Sequence, residues 1–260
     1  MKILTFAAWV LTLPEWIQNA PEWIQNFIFQ FYQTFLFENR WKLFANGLKI
    51  TFIVAIGALL LGVVIGLIVG LVRTSHDTVA LRQKPPVLLR FINGVCKVYL
   101  TVIRGTPMMV QLLVMGFVIM VPKTDSATIV CGVITLGINS GAYVAEIARS
   151  GIMSINSGQM EAGRTLGFNY VQTMWYIVIP QAFKNILPAL GNEMITLLKD
   201  TSLVSVIALR DVTKQAQNVV NKTYQAFMPY IGLAIIYLVI VMMMTKLLGI
   251  LERRLRKSER

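Results

Sequence analysis

Leu48 to Val72, "LKITFIVAIGALLLGVVIGLIVGLV", is a run of apolar residues broken by a single charge, Lys49. A helix needs about 20 predominantly apolar residues to cross a bilayer, because hydrocarbon offers no water to satisfy an open backbone. This stretch is therefore a membrane span. Gly62, Gly66 and Gly70 recur at four-residue intervals within it, which predicts a face onto which a second helix packs closely. The whole chain follows the same pattern. Its 260 residues are 56% hydrophobic and 14% charged, with a mean hydropathy of +0.65, outside the range of soluble domains.

Working outward, the polar residues 73–86, with Arg73, His76, Arg82, Lys84 and the pair Pro85-Pro86, read as a loop. His76 is expected there as a solvated histidine. Further spans are expected at about 87–121, 127–148, 183–209 and 228–251, giving five with 48–72. The second is interrupted at Arg104-Gly-Thr-Pro107, where proline predicts a kink or restart. Residues 1–45 are set apart as an N-terminal extracytoplasmic, interfacial amphipathic segment. They hold the direct repeat "PEWIQN" at 14–19 and 21–26, and Trp9, Trp16, Trp23 and Trp41. Indole rings favour the headgroup layer, and Pro14 and Pro21 break any continuous helix. Residues 253–260 form a basic cytoplasmic tail.

The 24 Lys and Arg against 12 Asp and Glu give a net charge of +12, without any nucleic-acid motif. The cations instead border the spans. Arg73, Arg82, Lys84, Arg90, Arg149, Arg164, Lys184, Lys246 and the tail fall on one side, against Lys123, Arg210, Lys214 and Lys222 on the other. The richer side is the cytoplasm, so the N-terminus is expected outside and the C-terminus inside. Cys96 and Cys131 lie in apolar stretches without metal-site or disulfide spacing and read as small core residues.

One cytoplasmic segment is charged enough to stay out of the bilayer. Gly158 to Tyr176 is expected as an amphipathic helix capped by Ser157 or Gly158, with Glu161 in the first turn. Gly163 and Gly167 would thin one face of it for a partner's groove. Its core, Glu161-Ala162-Gly163-Arg164-Thr165-Leu166-Gly167, is followed after nine residues by Ile177-Val178-Ile179-Pro180. This spacing resembles the EAA signature of ABC importer membrane subunits, with Gly163 in place of the second alanine and Ile179 in place of a leucine. "VIRGTPMMVQL" (102–112), "NSGAYVAEIARSGI" (139–152), "GQMEAGRTLG" (158–167) and "LPALGNEMITLLKDTSLVSVI" (187–207) extend the resemblance. Together they resemble the permease subunits of polar amino acid importers.

The resemblance implies an all-α, five-transmembrane-helix fold of the ABC type I importer class, in the bacterial cytoplasmic membrane. It also implies partners: ABC ATPase subunits, a second permease copy or relative, and an extracytoplasmic amino acid binding protein. The chain lacks a G-x4-G-K-[ST] phosphate loop, so it is expected to be no enzyme and to carry no cofactor, ATP and Mg belonging to the ATPase. A coupling helix at about 158–170 is expected to dock on that ATPase through Glu161, Ala162, Gly163, Arg164 and Gly167, with Pro180 fixing the turn into the next span.

For the substrate, ionisable groups within spans are functional by default. Asn139, Tyr143 and Glu146 share one helical face, and Glu193, Thr196 and Asp200 share another. Asp200 or Glu193 would accept an ammonium group, and Asn139, Tyr143 or Arg104 would donate to a carboxylate. The competing reading pairs Glu146 with Arg149 and spends Asp200 and Lys199 on a subunit interface. An ATP-independent channel and an ion-driven secondary carrier are the alternatives at the level of function.

Overall fold

The computed structural model describes residue 6, residues 14–80 and residues 83–257, and among these there is no strand. Each PEWIQN repeat starts a helix from its proline: α1 (Glu15–Gln18) from Pro14 and α2 (Glu22–Phe31) from Pro21. Proline serves there because its fixed φ suits a helix start and its missing N–H loses nothing. Gln25 Nε2 donates to the carbonyls of Gln18 and Ala20, at 2.8 Å each, tying the repeats together. Trp16 and Trp23 remain exposed.

A π turn (Tyr32–Leu36) and a 3-10 turn (Phe37–Asn39) lead into α3 (Trp41–Ala80). Buried Arg40 locks that corner, donating to the Gln33 carbonyl at 2.8 Å with its guanidinium 4.9 Å from the Phe37 ring centroid. Phe35 stacks on Phe44 of α3, ring centroids 5.1 Å apart, and fills the space over Gly232. The boundary expected at residue 45 therefore falls inside a helix, and the stretch before it is packed on the body. Trp9 and the basic tail's last three residues lie outside the described residues.

The seam between α3 and α6 (Asp125–Met153) organises the rest. A Cβ added to Gly62, Gly66 or Gly70 would sit 2.9, 2.5 or 3.0 Å from Ser140, Val144 or the Ala145 carbonyl oxygen. In return, Leu61 and Ile65 of α3 seat over Gly137 and Gly141 of α6. Small residues thus bring the two backbones together, as the glycine spacing predicts. α3 runs on to Ala80, so His76 stands on a helix rather than in a loop, its Nδ1 3.3 Å from Asp77 Oδ1.

α4 (Val87–Gly105) and α5 (Met108–Val114, continued by a π turn to Ile119) meet at 104°. Then follow α6, α7 (Ser157–Thr165), α8 (Tyr170–Thr173), a π turn (Met174–Val178) and α9 (Ile179–Asp200). A 3-10 turn (Thr201–Ile207) leads to α10 (Val212–Thr223) and α11 (Phe227–Lys257). α11 carries the helix past residue 253, where the tail was expected to begin. The buried core lies where α3, α5, α6, α9 and the 3-10 turn converge, around Val54, Ala58, Leu112, Leu136, Leu198 and Val204.

Among the described residues, α3, α6 and α11 are long and apolar enough to cross a membrane, and the bent pair α4–α5 makes a fourth. The stretch expected as the span 183–209 differs. Its helix ends at Asp200, the remainder is the 3-10 turn, and it carries Lys184, Glu193, Lys199 and Asp200. It packs against α6, α11 and α3, which leaves Lys184, Glu193 and Asp200 partly buried while Lys199 stays exposed.

Candidate functional site

Two sets of residues singled out in the sequence occupy two places. The first is α7. Its N-cap is Asn156, whose Oδ1 accepts from Gly158 N at 2.8 Å. This displaces the Ser157 or Gly158 cap, and Glu161 moves beyond the first turn. α7 ends at Thr165, short of the end expected at 170 for the coupling helix and at Tyr176 for the amphipathic helix. The reason is Gly167, at φ +86, in the left-handed region open to glycine. Phe168 N donates to the Gly163 carbonyl and Gly167 N to the Arg164 carbonyl, both at 3.0 Å. This is the Schellman stop.

The two glycines consequently do different jobs. Gly163 is buried against this chain's own α8, not offered to a partner: a Cβ there would lie 2.5 Å from Thr173 Cγ2 and 2.8 Å from its hydroxyl oxygen. The departure from the EAA pattern is thus matched by a threonine filling the alanine's volume. Among the described residues, nothing lies within 4 Å of a Cβ added to Gly167. Glu161, Ala162 and Arg164 are exposed. Leu166, Val171, Trp175 and Tyr176 add exposed apolar surface around them. α8 opens with a capping box, Asn169 with Gln172.

Pro180 makes no turn. Val178 and Ile179 are both helical, so the chain is helical from Tyr170 to Asp200. A proline at this position cannot donate to the carbonyl one turn earlier, and the π turn Met174–Val178 just before it is where the helix adjusts.

The second place is the break between α4 and α5. Thr106 precedes Pro107 and is extended, at φ −116 and ψ 140, as the proline ring demands of its predecessor. The Ile103 carbonyl, which Pro107 cannot serve, accepts instead from Gln111 Nε2 at 2.7 Å. Gln111 Oε1 accepts from Asn139 Nδ2 at 3.0 Å, so the break is pinned to α6.

Beside it lies a cavity of about 520 Å³ lined by Arg104, Asn139, Tyr143, Glu193, Thr196 and Asp200, with Pro107 and Met108. The two helical faces read from the sequence do meet. Ser140 donates to Glu193 Oε1 at 2.6 Å. The Arg104 guanidinium donates to Glu146 Oε1 and lies 5.6 Å from the Tyr143 ring centroid. The Glu146–Arg149 pair is absent: Arg149 reaches Asp77 at 3.8 Å instead, because Arg104 approaches Glu146 from α4. The cavity therefore presents two carboxylates beyond the Arg104–Glu146 pair, together with an amide, a phenol and a hydroxyl. That set can hold an ammonium group and a carboxylate at once.

Gln111 and Ser140 were not picked out in the sequence. A polar residue four positions after a proline, inside an apolar run, is the signal for Gln111.

Residues 87–257 match the family described as binding-protein-dependent transport system inner membrane component. The chain is 36% identical over 216 residues to the glutamine transport system permease protein GlnP of Escherichia coli K12, covering 82% of this chain and 93% of that protein. It is 35% identical over 217 residues to the arginine transport system permease protein ArtQ of Bacillus subtilis strain 168, with the same coverage. Among solved structures, an amino acid ABC transporter crystallised with histidines is 42% identical, with a TM-score of 0.72 over 82% of this chain and 94% of that one. The inward-facing MetNI methionine ABC transporter shares the fold, at 18% identity and a TM-score of 0.67 over 82% and 96%. The chain belongs to the inner membrane components of binding-protein-dependent transport systems.

Proposed function

We infer that this permease subunit of an ABC amino acid importer passes a polar amino acid through the cavity between α4, α6 and α9, with α7 as its contact to a separate ATPase. One observation carries the reading: five side chains chosen from the sequence for substrate chemistry, Arg104, Asn139, Tyr143, Glu193 and Asp200, line a single cavity at a broken helix. Broken helices free backbone groups and create polar sites at membrane depth, where irregular backbone survives only against a cavity or protein. Relatives named for glutamine, arginine and cystine transport support a polar amino acid as the substrate class.

The charge distribution supports a reading with α7 and the C-terminus in the cytoplasm, the N-terminus outside, and five spans between. The exposed face of α7, with Glu161, Ala162 and Arg164, takes a cleft of the ATPase. Gly167 sets the chain's exit from that helix, and closure of the nucleotide-bound ATPase pair moves α7 and the attached α8–α9 helix as a lever. A second permease, copy or relative, completes the path, and an extracytoplasmic binding protein delivers the substrate. No ATP is hydrolysed on this chain, and no metal or cofactor is assigned to it.

The test is uptake in liposomes holding the assembled permease and ATPase with the binding protein. Asn139→Ala and Asp200→Asn should each lower uptake by about tenfold or more, the loss of one charged or bidentate contact, while nucleotide-stimulated ATPase activity persists. Uptake at the unmodified rate in both variants refutes the cavity.

A further inference from the structure

α4 is divided lengthwise into three sectors. Asn93, Cys96 and Leu100 are buried. Val87, Phe91, Val95, Val98 and Val102, each more than half exposed, make an apolar sector suited to lipid. Between these two runs a third strip. At 3.6 residues per turn, Arg90, Gly94, Lys97, Thr101 and Arg104 fall within about 80° of one another around the axis. All five are exposed, and among the described residues nothing lies within 4 Å of a Cβ added to Gly94. The three cations are each about 10.5 Å apart along the axis.

Lys97 stands eight residues from the end of α4 and ten from its start, deep in any span. A charge there is strongly unfavourable against hydrocarbon and is found facing water or an opposite charge. Arg104 has Glu146. Among the described residues, Lys97 and Arg90 have neither an ion pair nor a hydrogen bond from their side chains. The strip also starts at the cavity, since Arg104 lines it, and it runs toward the end of α4 that charge asymmetry places in the cytoplasm.

We propose that this strip is the cytoplasmic half of the translocation path, a water-filled way on which Lys97 and then Arg90 take the substrate's carboxylate as it leaves the cavity. The inference rests on the transport reading above and adds a direction to it. Carboxylates at the cavity, Glu193 and Asp200, hold the ammonium end. The first uncompensated cation beyond them is Lys97, so the carboxylate leads toward the cytoplasm. Gly94 and Thr101 keep the strip narrow enough in side-chain bulk for a solute to pass. The substrate class is an amino acid with a free α-carboxylate.

The test uses Lys97→Cys in the full complex, with uptake driven by ATP in liposomes. Cys96 and Cys131 are free but buried, so the unmodified complex treated with the same reagents sets the baseline. Expected are uptake about tenfold lower in the variant, reflecting one lost charge contact, reaction of the new thiol with water-soluble methanethiosulfonates, recovery with the ammonium-bearing reagent and no recovery with the sulfonate-bearing one. Lys97→Arg should transport nearly as the parent. A thiol that does not react in the assembled complex, two reagents that act alike, or uptake at the parent rate before modification each overturns the proposal. Should Lys97→Cys fail to assemble with the ATPase, Arg90→Cys at the cytoplasmic end of the strip is held to the same outcomes. Failure of the cavity reading is distinguishable, because it shows in Asn139→Ala and Asp200→Asn while the reagent response at position 97 is read separately.

Discussion

Changing Gly163 to alanine would restore the family's own EAA pattern and is expected to impair this protein. The new methyl would stand 2.5 Å from Thr173 Cγ2, 2.8 Å from Thr173 Oγ1 and 3.1 Å from Ile177 Cδ1, against the 3.5–4.0 Å at which carbon atoms pack. Thr173 has little freedom to yield. It is fully buried, β-branched, and its hydroxyl donates to the Asn169 carbonyl at 2.9 Å. Overpacking of this kind costs about 1–3 kcal/mol, while alanine recovers at most about 1 kcal/mol of helix propensity over glycine. The net effect is to weaken the seat of α7 on α8 by about 1 kcal/mol, a roughly fivefold shift away from the packed arrangement. The assay is amino acid transported per ATP hydrolysed in liposomes. Gly163→Ala should lower that ratio, and Gly163→Ala with Thr173→Ala should recover it in part, with a coupling energy in the double-mutant cycle of about 1 kcal/mol. A normal ratio in Gly163→Ala, or additive effects in the double variant, would refute the packing argument.

Three further outcomes follow from the geometry. Gly167→Ala forces a side chain into the left-handed region at φ +86, a strain of about 1–2 kcal/mol, so it should uncouple ATP hydrolysis from uptake while leaving insertion intact; Gly167→Asn should do so less. Arg104→Gln should lose more uptake than Arg104→Gln with Glu146→Gln together, because the single change strands a carboxylate; equal losses would deny the pairing. Asp211 caps α10 from outside the apolar spans and is buried. Burial holds its carboxyl up at about 6, against the bonds it accepts from the backbone N–H groups of Thr213 and Lys214. A folded pKa above the unfolded value means that the native state binds the extra proton, so this carboxyl's contribution to stability is greatest below about pH 4 and is lost as pH rises through about 6. Asp211→Asn keeps the cap and removes this fall, raising thermal stability of the complex at pH 7 but not at pH 4; a gain of equal size at both would contradict it.

Much of this was legible in the sequence because membrane constraints are one-dimensional. The apolar length of 48–72, its glycine spacing and Pro107 predict a span, a close-packing face on it and a broken helix without reference to tertiary structure, though not that α6 is the helix packed there. The cavity was legible for the same reason: polar residues at helical spacing in apolar surroundings have few places to go. What sequence spacing hid was set by caps just outside the helices and by packing partners, near and distant in the chain. The ends of α7 depend on Asn156 and the left-handed Gly167, and Gly163 is explained by a threonine ten residues later. Glu146 is taken by Arg104, forty-two residues away, rather than by its near neighbour Arg149. Pro180, read as a turn, is absorbed by a π turn that no local pattern marks.

The most direct measurement of the central assignment is amino acid uptake by liposomes containing this permease with the ATPase and the binding protein proposed for it, with ATP enclosed on the ATPase side and no ion gradient imposed. Uptake that requires ATP hydrolysis and the binding protein, and that ceases when the exposed face of α7 is altered at Glu161 and Arg164, is the expected result. Uptake that proceeds without ATP, or that follows a sodium or proton gradient, would contradict it.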